Sequence, residues 1–282
     1  MKFEKVSAHA VADIATQKVT RSCVIGGIHL GSSVVVVESG DSIEVGLSLR
    51  KRLESTFRKP VQYLFLTHTH TDHRRGMDAF KDVNLIVSSS CLENMPHSVR
   101  LSRWSIESFH QSMILEDDIK IEFHLVSGHS VGSSIAFIPQ EKVLFGGDLF
   151  IERSINFGLP FMGFYQNQPK KDGNPDEYLA AYEKFRKMKV EVIVPGHGNI
   201  ILDAQSHLCD QITFFKDLKT FIISEINEGK SVDDIELPHF EPIKRAFADA
   251  ESRVKRGAAL RFLKHYLDVL KTSFYSHYAP SL

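Results

Sequence analysis

The segment Leu66-Thr67-His68-Thr69-His70-Thr71-Asp72-His73 closes an apolar run and sets three histidines and one aspartate within six positions. At the frequencies of His and Asp in this chain, about 0.002 such H-x-H-x-D-H matches are expected by chance. The spacing is chemically sensible. His68 and His70, two apart at the end of an extended run, project to one side and can share one metal ion, while a turn after them brings Asp72 and His73 toward a second.

A chain that carries such a cluster must present it where several elements end together, and the rest of the sequence supplies those elements. Short β-branched or aromatic runs predict strands at Ser22–Ile28, Ser33–Glu38, Gln62–Thr67, Asn84–Ser88, Ile119–Ser127, Ser134–Ile138, Lys142–Phe145 and Val190–Val194. Helical patterns fall between them at Ile43–Phe57 and at Pro175–Met188, the latter with Asn174 as N-cap and Pro175 in the first turn. Three predicted strands are followed by glycine and then a ligand-type residue, in Gly128-His129, Gly147-Asp148 and Gly196-His197. In a layered α/β fold the carboxyl ends of neighbouring strands converge on one edge, so seven donors can meet there: His68, His70, Asp72, His73, His129, Asp148 and His197. The absence of Cys from the set fits zinc, iron or manganese and disfavours copper(I) or a cluster.

After Ile200 the apolar residues return at helical spacing, through Leu208, Ile212, Phe215, Leu218, Ile222 and Ile226 to a stop at Gly229. One further helix is predicted from near Ile243 to Lys271, burying a stripe that includes Phe247, Val254, Leu260, Phe262, Leu263, Tyr266, Leu267 and Leu270. The expected division is residues 1–204 as the main α/β domain and 205–282 as a helical extension packed on it.

Composition removes several other classes. With 34 Lys and Arg against 35 Asp and Glu, the net charge of -1 gives no field that would draw the chain to nucleic acid or an anionic membrane. The basic runs Arg50-Lys51-Arg52 and Lys255-Arg256 read as solvated helix faces. No stretch of about 18 apolar residues is present, and Cys23, Cys91 and Cys209 are too few and too scattered for a disulfide framework. A soluble protein of the reducing cytoplasm is therefore expected, with a small-molecule substrate, no nucleic-acid or membrane partner, and a homodimer as the one protein assembly allowed for. Nine of the 14 histidines (His9, His29, His97, His110, His124, His207, His239, His265 and His277) need no special role.

The order and rough spacing of the H-x-H-x-D-H segment, Gly-His129, Gly-Asp148 and Pro-Gly-His197 resemble the metallo-β-lactamase superfamily, the αββα sandwich metallohydrolases. The resemblance implies an α/β fold of four layers with the C-terminal helices added. It also implies His68, His70 and His129 on one metal ion, Asp72, His73 and His197 on a second, and Asp148 bridging them. Glu38-Ser39-Gly40 is similar to an acidic strand end of that family, normally Asp, and Glu38 with nearby Ser and Thr residues would hold the imidazoles in place. Two divalent ions, most naturally zinc, would activate a bridging hydroxide for hydrolysis, with Asp72 also orienting it or carrying a proton.

The family is broad, and the resemblance narrows it only in part. Asp148 stands where the zinc β-lactamases have Cys or Ser, and the 49 positions from Asp148 to His197 leave no room for a large inserted nucleic-acid-processing domain. The helical tail is similar to the glyoxalase II and lactonase branches, which implies a small ester, thioester or lactone substrate. An iron-dependent persulfide or thiol dioxygenase, a phosphodiesterase of the tRNA-processing type and a non-catalytic metal-containing sensor stand as alternatives. Two segments are expected to be loops that line a pocket: Phe157–Tyr165 and Met95–His110, the latter with Arg100, Arg103 and Trp104.

Overall fold

The computed structural model describes residues 3–20, 22–99, 101–152, 158–160 and 173–279. A first sheet runs in spatial and chain order through β1 (Glu4–Lys5), β2 (Ala10–Asp13), β3 (Ile25–His29), β4 (Val34–Val37), β5 (Val61–Phe65), β6 (Asn84–Ser88) and β7 (Ser105–Phe109). A second holds β8 (Ser112–Glu116), β9 (Lys120–Leu125), β10 (Ser134–Ile138), β11 (Val143–Glu152) and β12 (Val192–Gly198), in reverse spatial order. The helices are α1 (Ile43–Phe57), α2 (Thr71–Arg74), α3 (Ser89–Glu93), α4 (Pro175–Lys187), α5 (Ala204–Asn227), α6 (Glu241–Ser252) and α7 (Arg256–Tyr278).

Strand periodicity builds the layers. In β4, Val34 and Val36 pack outward with Leu49 and Leu53 of α1, while Val35 and Val37 join Phe123 and Phe145 in the seam between the sheets. In β10, Ala136 and Ile138 face that seam, and Ile135 and Phe137 turn to the other side, among Tyr178 and Phe185 of α4 and Phe215 of α5. The result is helices, sheet, sheet, helices, which is the four-layer α/β arrangement the family resemblance implied. Buried residues of α5, α6 and α7, among them Leu218, Ala246 and Phe274, belong to the same outer core as Ile135 and Leu144 of the second sheet. Among the described residues no helix is long and apolar enough to cross a membrane. Cys23 and Cys91 are buried free thiols and Cys209 is exposed.

Local chemistry sets the helix starts. Ser42 caps α1 by accepting from the Val45 amide, and Asn174 caps α4 by accepting from the amides of Asp176 and Glu177, with Pro175 in the first turn. The single helix expected from Ile243 to Lys271 is instead two, broken at Arg253, whose ψ of 145° is extended. Ala250 and Leu263 are both buried, yet on one continuous helix positions thirteen apart would lie about 140° around the axis from each other. The break lets both faces reach the core; it also leaves Val254 and Phe262 exposed rather than in the predicted stripe.

Four strands escaped the sequence reading. β1 and β2 are very short, and β7 and β8 lie in segments where exposed polar residues interrupt the apolar alternation. The Met95–His110 segment is accordingly not one loop: it contains a 3-10 turn at Leu101–Arg103 and then β7, and Trp104 packs on the outer core of the first sheet. Of Phe157–Tyr165 only Gly158, Leu159 and Pro160 fall within the described residues, as Arg100 does not. Leu159 is buried in the outer core.

Candidate metal centre

β4 through β7 pair in parallel, so their carboxyl ends share one edge, and the functional residues of the first sheet follow directly from them. Glu38 follows β4; the histidine segment follows β5, with His70 as the residue before α2 and with Asp72 and His73 inside it. From the second sheet comes His129, after a turn in which Ser127 and Gly128 both have positive φ, at 55° and 96°. Asp148 and His197 were expected just beyond strand ends, but β11 and β12 continue through them to Glu152 and Gly198. The ladder between those strands shifts register on both sides of Gly147, and this irregularity re-aims Asp148 without ending the strand. Close approach is what the glycine of Pro195-Gly196-His197 permits: a Cβ on Gly196 would lie 1.9 Å from Asp148 Oδ1.

All seven predicted donors are brought together. Ligand atoms of His68, His70, His129 and Asp148 lie within 4.8 Å of one another, as do those of Asp72, His73 and His197. Asp148 faces both groups. Its Oδ1 is 3.1 Å from His73 Nε2 and 3.5 Å from His197 Nε2, while its Oδ2 is 3.7 Å from His129 Nε2 and 3.9 Å from His68 Nε2. Asp72 Oδ2 lies 3.1 Å from His197 Nε2 and 3.6 Å from His73 Nε2. His70 and Asp72 are the two partly exposed members, so the centre opens to solvent on their side.

A third grouping, Glu38 with His68 and His73, also has ligand atoms within 4.8 Å. Hydrogen-bond bookkeeping gives Glu38 a different task. Thr67 Oγ1 donates to Glu38 Oε1 at 2.5 Å, so toward His68 Nδ1, 2.8 Å away, the same oxygen acts as acceptor. His73 Nδ1 lies 3.2 Å from that same Glu38 oxygen. His68 therefore carries its proton on Nδ1 and turns an Nε2 lone pair into the centre, while the Glu38 charge beside His73 Nδ1 favours a proton on that nitrogen of the second ring. Glu38 is held in a left-handed conformation (φ 68°) to do so.

Buried polar atoms without hydrogen-bond partners include His68 Nε2, His73 Nε2 and Asp148 Oδ1. Leaving such atoms bare costs about 1–3 kcal/mol each, and divalent ions would satisfy all three together, so the residues present fit a metal centre. The electrostatics agree. Burial, helped by the neighbouring imidazoles of His73, His70 and His129, pushes His68 well below the ordinary histidine range, keeping it neutral as a ligand must be. Burial alone would raise Asp148, but His73 and His197 outweigh it and hold the carboxyl well below the usual range. Burial would likewise lower His73, but surrounding negative groups lift it well above its ordinary value, so His73 holds a proton that a cation at the centre would have to displace. Asp148, Glu38 and Asp72 carry that pull, because burial pushes the Cys23 thiol up to about 12 and keeps it uncharged at neutral pH.

Two residues that the sequence reading passed over hold this geometry. Tyr178 donates its hydroxyl to the Asp148 carbonyl at 2.8 Å, and Tyr182 donates to the Leu149 carbonyl at 2.6 Å, bracing the irregular stretch of β11 from α4. Their i, i+4 spacing puts them on one helix face, and a buried tyrosine hydroxyl needs a partner; that was the available signal. The background histidines stay outside: among the described residues none of the nine joins a ligand grouping, and His9, His124 and His277 pair with Glu141, Glu122 and Asp176.

The chain is similar to several known proteins in sequence and in fold. The beta-lactamase-like protein 2 homolog of Caenorhabditis elegans is 21% identical over 85% of this chain and 75% of its own length. The human acyl-coenzyme A thioesterase MBLAC2 is 22% identical over 53% of this chain and 60% of its own. A solved metallo-beta-lactamase from Pontibacter korlensis, 20% identical, superposes with a TM-score of 0.57 over 77% of this chain and 99% of that one, which is a likeness of fold. The family model for the metallo-beta-lactamase superfamily matches residues 21–197, which span every ligand candidate, and the chain belongs to that superfamily.

Proposed function

We propose that this chain is a dinuclear metal-dependent hydrolase acting on a small ester or thioester. The observation that carries the reading is Asp148, one buried carboxylate whose two oxygens face two separate sets of imidazoles. His68, His70 and His129 would hold one ion, Asp72, His73 and His197 the other, and Asp148 both. Bound there, two divalent ions, most naturally zinc, would supply Lewis acidity toward the scissile carbonyl and a nucleophile at neutral pH.

The protein's own part is orientation and proton handling. Thr67, held by Glu38, fixes the tautomer of His68, and the Glu38 carboxylate facing His73 Nδ1 orients that second ring. Asp72 sits at the open side, and its carboxylate can take the proton of the attacking water and return it to the leaving group. Among substrate classes, the thioester is favoured by the human relative described as an acyl-coenzyme A thioesterase.

Metal analysis joined to a hydrolysis panel tests the reading. Two divalent ions per chain are expected, with hydrolysis of 4-nitrophenyl acetate or an acyl thioester abolished by a chelator and restored by zinc or manganese. One iron per chain with oxygen uptake in the presence of a persulfide, or hydrolysis of a bis-aryl phosphate but of no carboxylic ester, would overturn it.

A further inference from the structure

Beside the histidine segment is a cleft of about 370 Å³ whose lining includes none of the candidate ligands. Three guanidinium groups line it: Arg74 and Arg75, which directly follow His73, and Arg103 at the end of the 3-10 turn before β7. Met77 and Val99 give it an apolar side. The one carboxylate in the lining, Asp78, is exposed and paired with Lys81 at 3.4 Å. Among the described residues neither Arg75 nor Arg103 has a hydrogen-bond or ion-pair partner, and the Ser98 hydroxyl in the same lining has none. Arg74 is tied to the neighbouring centre, since its Nε donates to the carbonyl of Thr69, the residue between His68 and His70, at 2.7 Å.

Three positive groups gathered in one cleft repel one another, and among the described residues no carboxylate is paired with any of them. Arg50, by contrast, pairs with Asp82 and Glu54, Arg52 with Asp13, and Arg245 with Asp210. Guanidinium groups suit phosphate because their paired N–H donors match its oxygens, and a cleft of this size admits one such group with part of the chain that bears it. Since α2 carries candidate ligands and Arg74 together, an anion seated here would be a short reach from the metal centre.

We infer that Arg75 and Arg103, with Arg74 behind them, form an anion subsite that holds a phosphate group of the substrate while its ester or thioester lies at the metal centre. The substrate class is then an acyl ester or thioester of a phosphorylated alcohol or thiol. This rests on the hydrolase reading above.

The test uses the zinc-loaded chain with acetyl-coenzyme A and with the acetyl thioester of N-acetylcysteamine, which has the same reacting group and no phosphate. In the R75Q/R103Q double variant the ratio of kcat/KM between the two should fall about 10- to 100-fold through KM, and R75K/R103K should recover part of it. The wild-type KM for the phosphorylated thioester should rise with salt more steeply than that of the variant. Coenzyme A binding to metal-stripped protein, followed by calorimetry, gives a readout independent of turnover and should weaken in parallel. An unchanged ratio together with unchanged coenzyme A binding would overturn the subsite. So would inorganic phosphate that alters turnover of both thioesters alike without competing with the phosphorylated one, since it would mark a site for free phosphate. Arginine-dependent coenzyme A binding without turnover of either thioester would sink the hydrolase reading instead, leaving the anion site standing.

Discussion

Shortening Glu38 to aspartate removes one methylene, about 1.5 Å of reach, from a carboxylate that serves two imidazoles at once. Its contacts to Thr67 at 2.5 Å and His73 at 3.2 Å would open to about 4 Å or more, beyond hydrogen bonding. The backbone cannot follow easily. The Glu38 amide donates to the Phe65 carbonyl at 2.9 Å, and both the amide and the hydroxyl of Ser39 donate to the His73 carbonyl at 2.8 Å. Aspartate tolerates a φ of 68° better than glutamate, which returns less than about 1 kcal/mol. The two charge-assisted contacts are worth about 1.5–3 kcal/mol each, so the loss wins. Metal affinity should fall about 10- to 100-fold, measured by competition with a chromophoric chelator, and Glu38→Gln, which keeps the length but not the charge, should fall between. If Glu38→Asp binds metal within about threefold of wild type, the tautomer argument fails.

Other consequences follow from individual contacts. Asp148→Asn presents an amide N–H₂ where one carboxylate oxygen had been, so one set of imidazoles loses its shared ligand; metal analysis should find at most one tightly held ion per chain, with hydrolysis lost. Tyr178→Phe strands the buried Asp148 carbonyl, at a cost of about 1–3 kcal/mol, visible as a lowered thermal midpoint and weakened metal binding, whereas a merely space-filling ring would give neither. His207 is pushed down to about 4 by burial, with the Asp210 charge opposing, so the folded state binds its proton less readily than the unfolded chain does. Its contribution to stability is full above about pH 6.5 and is lost as pH falls toward 4, by about 3 kcal/mol in all. Denaturant titrations of His207→Leu should show a shallower loss between those limits.

What could be read from the sequence divides along physical lines. The α1 boundaries, the Asn174 cap and the α5 core stripe were visible because local patterning decides them. The seven donors were visible because metal binding needs those residue types, and the H-x-H-x-D-H spacing and the three glycine-led pairs mark them, although Asp148 and His197 proved to lie inside their strands. What escaped depends on contacts between distant segments: Arg103 comes beside Arg74 and Arg75 only once β7 has paired with β6. The hydroxyls of Tyr178 and Tyr182 find their carbonyls only because β11 is irregular there. The continuous C-terminal helix failed for a related reason, since apolar spacing reports which residues are buried but not that two stretches bury opposite faces.

The centre draws its donors from both sides of the sandwich: His68, His70, Asp72 and His73 from the first sheet's edge, His129, Asp148 and His197 from the second. An ion seated among them is then also a clasp across the inner seam, and by mass action it favours the closed sandwich by about 2.7 kcal/mol at a free concentration one hundred times its dissociation constant. Metal supply would set the integrity of the fold as well as its chemistry, so a starved chain should loosen along the seam where the two sheets meet.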